Sequence, residues 1–288
     1  MKKYNINGVD FISINNKDFC KIDQCGITAL YPFEQAKTDL PIKYVLMDLD
    51  GTTVKSEEFW IYLIELTIKR FSGNADFRLS EEDVPYVSGF STIEHLEYCI
   101  KKYGLDSDVD RALDIYHEIA KFELNEIMEG RGNVDAFKPR TGLKDFLCLL
   151  KERGVKIGLV TSGLDYKAIP EIVSAFRVLG MGDPLKFYDA IITGGRRKEK
   201  GEYGTIGEIA SKPHPWVYSE IALGLSITDK SHAIVLEDSS AGLISARLAG
   251  FNVIGFKDGN LIKSGLDKEC LMMIDTFDEI AERCIDKQ

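Results

Sequence analysis

The sequence contains no apolar run of about 18 residues, the length a membrane-crossing helix needs. A bilayer is therefore not an expected partner. The basic start, Met1-Lys2-Lys3, is followed by Asn5, Asn7 and Asp10, which break the apolar stretch a secretory signal requires. A cytoplasmic protein is the expectation. Positive charge is in deficit: 36 Lys and Arg stand against 46 Asp and Glu, for a formal net charge of −10. That balance argues against nucleic acid and anionic membrane surfaces as main partners, because both demand a basic footprint. An anionic small ligand would have to be held by local cations. The six cysteines, Cys20, Cys25, Cys99, Cys148, Cys270 and Cys284, form neither a CxxC pair nor a zinc spacing, so they read as free thiols. The four histidines also lack metal-ligand spacing. What is present is 288 residues, 44 % hydrophobic and 28 % charged, enough to bury one large or two ordinary domains.

The pattern divides into three parts. Residues 1–40 read as a small β-rich extension: Tyr4 and Ile6, then Asn7-Gly8, then Val9 and Phe11 predict a hairpin with a type I′ turn. After Pro41, the run 43–48 reads as a buried strand. From 57 to 136 the apolar positions recur at helical spacing, in Phe59, Leu63, Ile64 and Phe71, then Ile93, Leu96 and Ile100, then Leu113, Tyr116, Ala120 and Leu124. This predicts an α-helical insertion. After Pro139, strands at 155–160, 187–192, 232–236 and 252–256 alternate with helices at 142–153, 166–179, from Pro213, and 240–249. Alternation of this kind predicts an α/β, Rossmann-like parallel sheet over 41–56 and 137–288, with the helical insert 57–136 as a cap domain. The glycine-bounded basic loop 194–201, with Arg196, Arg197 and Lys198, reads as a solvated surface.

The chemistry is expected at strand ends. Asp48-Leu49-Asp50-Gly51-Thr52 follows the apolar run Tyr44-Val45-Leu46-Met47, so two carboxylates one residue apart stand where a buried strand meets a glycine turn. Open α/β sheets bind ligands outside the carboxyl ends of their strands. Two such charges about 4 Å apart repel by roughly 4 kcal/mol at an effective dielectric of 20, so a cation or a proton must offset them. A second strand ends in Thr161-Ser162-Gly163, which offers a hydroxyl and backbone amides to an anion. Ser211-Lys212-Pro213 brings a lysine to the start of a helix, and a further strand ends in Glu237-Asp238. Carboxylates converging from two strand ends fit a hard dication with oxygen ligands; Mg²⁺ suits the arrangement, and calcium or manganese could bind the same atoms.

These four motifs, in this order, resemble the haloacid dehalogenase superfamily, in its β-phosphoglucomutase-like branch with an α-helical cap; the resemblance covers about residues 43–285. It implies that Asp48 is a nucleophile attacking phosphorus and Asp50 a general acid and base. It implies that Thr161, Ser162, Gly163 and Lys212 bind the phosphoryl group. Mg²⁺ would be bound or oriented by Asp48, the backbone carbonyl of Asp50, Glu237 and Asp238. Trp60, Phe90, Ser91 and Thr92 would line the cap. The implied activity is Mg²⁺-dependent hydrolysis of a small phosphorylated metabolite, a sugar or polyol phosphate monoester. Dehalogenases need no second Asp, and phosphonate hydrolases of this branch use a cap lysine that the segment 86–92 lacks. A β-phosphoglucomutase-type mutase is the alternative, against which stand Trp60, where mutases carry a histidine, and Ser88 and Thr92, where they carry basic residues. A non-catalytic phosphometabolite sensor on the same fold is the alternative of another class.

Overall fold

In the computed structural model, the structure describes residues 2–6, 8–24, 27–80, 83, 92–195, 210–281 and 284. Phe90, Ser91 and the basic residues Arg196, Arg197 and Lys198 lie outside them. The extension is an antiparallel sheet of four strands, β1 (Lys2–Ile6), β2 (Val9–Ile14), β3 (Lys17–Gln24) and β4 (Ile27–Pro32), in sequence order. The expected hairpin is present, with Ile6 opposite Val9 and Gly8 at φ +85°. A second turn at Asn15-Asn16 also takes positive φ, which asparagine tolerates, and produces the β2–β3 hairpin that the sequence reading did not separate.

The central sheet begins with β5 (Tyr44–Asp48). A two-stranded ribbon of β6 (Val54–Lys55) and β7 (Lys138–Pro139) brackets the helical insert, α1 (Glu57–Ser72), α2 (Thr92–Lys102) and α3 (Val109–Met128). The chain continues through α4 (Leu143–Glu152), β8 (Lys156–Val160), α5 (Asp165–Val178), α6 (Pro184–Phe187), β9 (Ala190–Ile192) and α7 (Trp216–Gly224). It ends with β10 (Ala233–Glu237), α8 (Ser240–Leu248), β11 (Asn252–Phe256), α9 (Leu261–Ser264), β12 (Met272–Ile274) and α10 (Asp278–Ile280). The six strands pair in parallel in the order β12-β11-β10-β5-β8-β9. From β5 the chain winds first toward β8 and then crosses to β10, so the winding reverses beside Asp48. This is where doubly wound sheets open a crevice.

Period-two alternation splits the core. Val45 and Met47 face the cluster that includes α4, α5 and the insert, while Leu46 faces the cluster of α7, α8 and the extension's Val9, Phe11, Cys20 and Ile22. The extension is thus packed onto the core, not hung from it.

Three local expectations are corrected, and one strand was missed. Phe187 belongs to α6, because Pro184 sits at its first turn and Asp183 accepts the Leu185 N–H at 2.9 Å; the strand starts only at Ala190. No helix starts at Pro213: residues 211–214 form a turn closed by His214 N–H to Ser211 O at 3.0 Å, and the helix starts at Trp216. His232 closes a one-turn helix capped by Asp229, so β10 starts at Ala233. The sixth strand, β12, was not anticipated, although its three residues lie in the apolar run Leu271-Met272-Met273-Ile274. No helix among the described residues is long and apolar enough to cross a membrane, and the five described cysteines are free.

Candidate active site

The central strands are in register, Leu236 opposite Met47 and Asp48 opposite Val160, so three strand ends deliver Asp48, Glu237-Asp238 and Thr161 to one place. Asp48 is 6 % exposed and Glu237 fully buried. Ligand oxygens of Asp48, Glu237 and Asp238 lie within 4.8 Å of one another. Into this cluster Lys212 extends Nζ, 2.5 Å from Asp48 Oδ1 and 2.6 Å from Glu237 Oε1.

One ammonium does not balance three carboxylates. Burial, then the charge of Glu237, push the Asp48 carboxyl well above the usual range, against the pull of Lys212. Burial and Glu237 likewise raise Asp238 to about 7. Burial works against the Lys212 charge, but Asp48 and Glu237 outweigh it and hold that pKa above its ordinary value. The surplus of negative charge on oxygen donors fits a divalent cation of the Mg²⁺ type. Glu237 is the most committed of the three: Oε1 also accepts from Tyr218 Oη at 2.7 Å, and Oε2 from Ser239 Oγ at 3.0 Å.

Two glycines make the room. Gly51 takes φ +84°, and a Cβ there would stand 2.2 Å from Asp238 Oδ2; a Cβ on Gly242 would stand 1.9 Å from Glu237 Oε1. The turn after β5 is closed by Thr53 and Val54 N–H groups, both 2.9 Å from Leu49 O. Arg140 fixes it from below: its Nε donates to Thr52 O at 3.0 Å and Nη2 to Gly51 O, while Asp258 takes two further guanidinium bonds at 2.9 and 3.1 Å.

Asp50 turns away from the cluster. Its Oδ1 accepts from Ser56 Oγ at 2.6 Å and from Trp60 Nε1 at 3.3 Å, at the base of α1. Its side chain is not among the clustered ligand atoms. Behind it lies Glu171 on α5, 1 % exposed, with Asp50 and Ser56 as polar neighbours. Burial first, then the neighbouring Asp50, push the Glu171 carboxyl well above its ordinary range.

The remaining expected residues divide in use. Thr161 is buried, and its Oγ1 accepts the Gly163 N–H at 2.9 Å, so that amide is turned to the threonine and not to an anion. Ser162 Oγ accepts the backbone N–H of Lys212 at 3.0 Å and so positions the lysine. Thr92 lies beside Tyr116, and Lys167 Nζ donates to Tyr116 Oη at 3.0 Å while lying 4.9 Å from the Trp60 ring centroid. Trp60 and Thr92 therefore meet where the insert faces α5. Glu171, Ser56 and Arg140 were not anticipated. The one signal for Glu171 was its place on the apolar stripe with Ala168, Ile172 and Ala175.

A family model described as haloacid dehalogenase-like hydrolase matches residues 45–256, and the chain belongs to that family. Its curated relatives include phosphonoacetaldehyde hydrolase of Klebsiella pneumoniae, 23 % identical over 228 residues and covering 74 % of each chain. Validoxylamine A 7′-phosphate phosphatase of Streptomyces hygroscopicus is 26 % identical over 226 residues, covering 74 % of this chain and 84 % of its own. Among solved structures, CbbY of Rhodobacter sphaeroides, crystallised with xylulose 1,5-bisphosphate, superposes with a TM-score of 0.60 at 20 % identity, over 83 % of this chain and 96 % of the other. That likeness is one of fold, shared with a β-phosphoglucomutase-like structure from Thermotoga maritima at a TM-score of 0.58, 20 % identity, and 84 % and 97 % coverage.

Proposed function

We propose that this hydrolase is a Mg²⁺-dependent phosphatase that cleaves a small sugar or polyol phosphate monoester through a phosphoryl group carried on Asp48. The observation that carries the reading is the division of labour between two aspartates two residues apart. Asp48 lies on Lys212 among the clustered carboxylates, while Asp50 is held off the cluster by Ser56 and Trp60.

In this reading Asp48, Asp238 and Glu237 hold the cation, together with the backbone carbonyl of Asp50. Bound Mg²⁺ would draw charge from the phosphoryl oxygens. Lys212 cancels the repulsion between Asp48 and the incoming phosphate, and the Thr161 hydroxyl donates to an equatorial oxygen. Asp48 Oδ attacks phosphorus as the ester bond breaks, giving an aspartyl phosphate and an alkoxide that takes the proton of Asp50. Asp50 then withdraws a proton from the water that attacks the aspartyl phosphate, releasing inorganic phosphate and restoring Asp48. Glu171 lies buried behind Asp50. The helical insert acts as a cap that keeps bulk water from the first step and, through Trp60, holds Asp50.

Support also comes from the phosphatase relative. The phosphonate-cleaving relative fits less well, because residues 81–92 contain no lysine. The test is phosphate release from a panel of sugar, polyol and nucleoside monophosphates, with and without Mg²⁺. Release that requires the metal supports the reading, and conversion of β-glucose 1-phosphate to the 6-phosphate without release would replace it with the mutase.

A further inference from the structure

The extension lies outside the part of the chain that matches the family model, which begins at residue 45. It nevertheless reaches the lysine loop. Tyr31, on β4, places Oη 3.1 Å from Nε2 of His214, with the two rings edge to face at 5.6 Å and 81°. His214 is two residues beyond Lys212.

The tautomer follows from the other nitrogen. His214 Nδ1 accepts the Trp216 backbone N–H at 3.1 Å, so a neutral imidazole carries its proton on Nε2 and donates it to Tyr31 Oη. Burial lowers the pKa of His214, which favours that neutral form. The same residue is fixed on its main chain: its N–H donates to Ser211 O at 3.0 Å, and its carbonyl accepts from Ser245 Oγ at 2.6 Å. With Ser162 holding the Lys212 N–H, the loop 211–216 is pinned from β8, from α8 and from the extension. Tyr31 is in turn set by packing against the core cluster that holds Val217 and Tyr218 at the start of α7.

We propose that Tyr31 is a positioning residue for Lys212: through His214, the N-terminal sheet braces the loop that aims this lysine at Asp48 and at the phosphoryl group. The inference rests on the phosphatase reading for its kinetic consequence but not for its structural one.

The experiment uses the full chain and compares Tyr31→Phe, His214→Leu and His214→Gln. The last keeps an amide N–H near the place of Nε2. Thr28→Val serves as a control on the same strand, because it removes a hydrogen bond to Asp23 that stays within the extension. Hydrogen exchange of the peptide spanning Lys212 and Trp216 is read first. It is expected to quicken in Tyr31→Phe and His214→Leu, and to stay as in the wild type in His214→Gln and Thr28→Val. Inorganic phosphate inhibition and ester turnover are read next, with kcat/KM lowered and the phosphate inhibition constant raised about three- to tenfold by the loss of one such bond. Unchanged exchange and unchanged phosphate affinity in Tyr31→Phe overturn the inference, as does an equal loss in Thr28→Val. A wild-type protein that releases no phosphate overturns the phosphatase reading instead, and exchange alone then decides the brace.

Discussion

Trp60 donates its indole N–H to Asp50 Oδ1 across 3.3 Å, so a residue of the helical insert holds a carboxylate of the sheet. Ser56, the residue before α1, holds the same oxygen. The orientation of Asp50 and the seating of the insert are thereby one event. In the proposed phosphatase the acid would be complete only with the insert in place.

Trp60→Phe keeps the packing against Phe59 and Phe137 but removes the donor. One hydrogen bond of this kind is worth about 1 kcal/mol, so kcat should fall about three- to tenfold with KM little changed. Steady-state kinetics on the best ester checks this. A change in KM alone would assign Trp60 to binding.

In the proposed mechanism Asp50→Asn removes the proton donor, and kcat/KM, which reports the first step alone, is expected to fall by roughly 10² to 10⁴ on alkyl phosphates. A p-nitrophenyl ester, whose leaving group needs no proton, should lose much less. Equal losses on both would take the acid role from Asp50.

Gly242→Ala would drive a methyl into the Glu237 carboxylate, whose oxygens lie 1.9 and 2.1 Å from the added atom. No proposed ligand is replaced, yet Mg²⁺ affinity measured by calorimetry should weaken about 10- to 100-fold, as when the groups that orient a ligand are lost. Wild-type affinity in this variant would exclude Glu237 from the metal's surroundings.

Asp83 makes the insert sensitive to acid. Burial raises its carboxyl pKa, but hydrogen bonds from Lys102, Tyr103 and Ser80 outweigh this and hold the group well below the usual range. The unfolded chain then binds the proton more tightly than the folded one. The stability contributed is complete above the ordinary carboxylate pKa of roughly 4 and is lost as pH falls below it. Melting temperatures between pH 6 and pH 3 should drop more steeply for the wild type than for Asp83→Asn. At neutral pH that variant should be less stable than the wild type, because Lys102, Tyr103 and Ser80 lose a charged acceptor.

What the sequence disclosed depended on whether a residue's surroundings were local. Asp48, Glu237 and Thr161 each end an apolar run, so their place at strand ends was legible, and the parallel α/β order followed from the alternation around them. Lys212 was legible only as a lysine beside a proline; its two carboxylate partners come from β5 and β10. Glu171 was missed because an acid in a helix ordinarily faces solvent, and only the tertiary packing of α5 buries it beneath Asp50. The contact between Tyr31 and His214 spans 183 residues, a separation that no periodicity reports.

Asp48→Asn tests the central claim most directly. It removes a nucleophilic oxygen from the carboxylate on Lys212 while keeping the side chain's shape. With Mg²⁺ and the best ester, the wild type should release phosphate and the variant should fall about a thousandfold or more, as loss of a nucleophile does. Release by Asp48→Asn at a rate near the wild type would contradict the account, since no phosphoryl group could then pass through this residue.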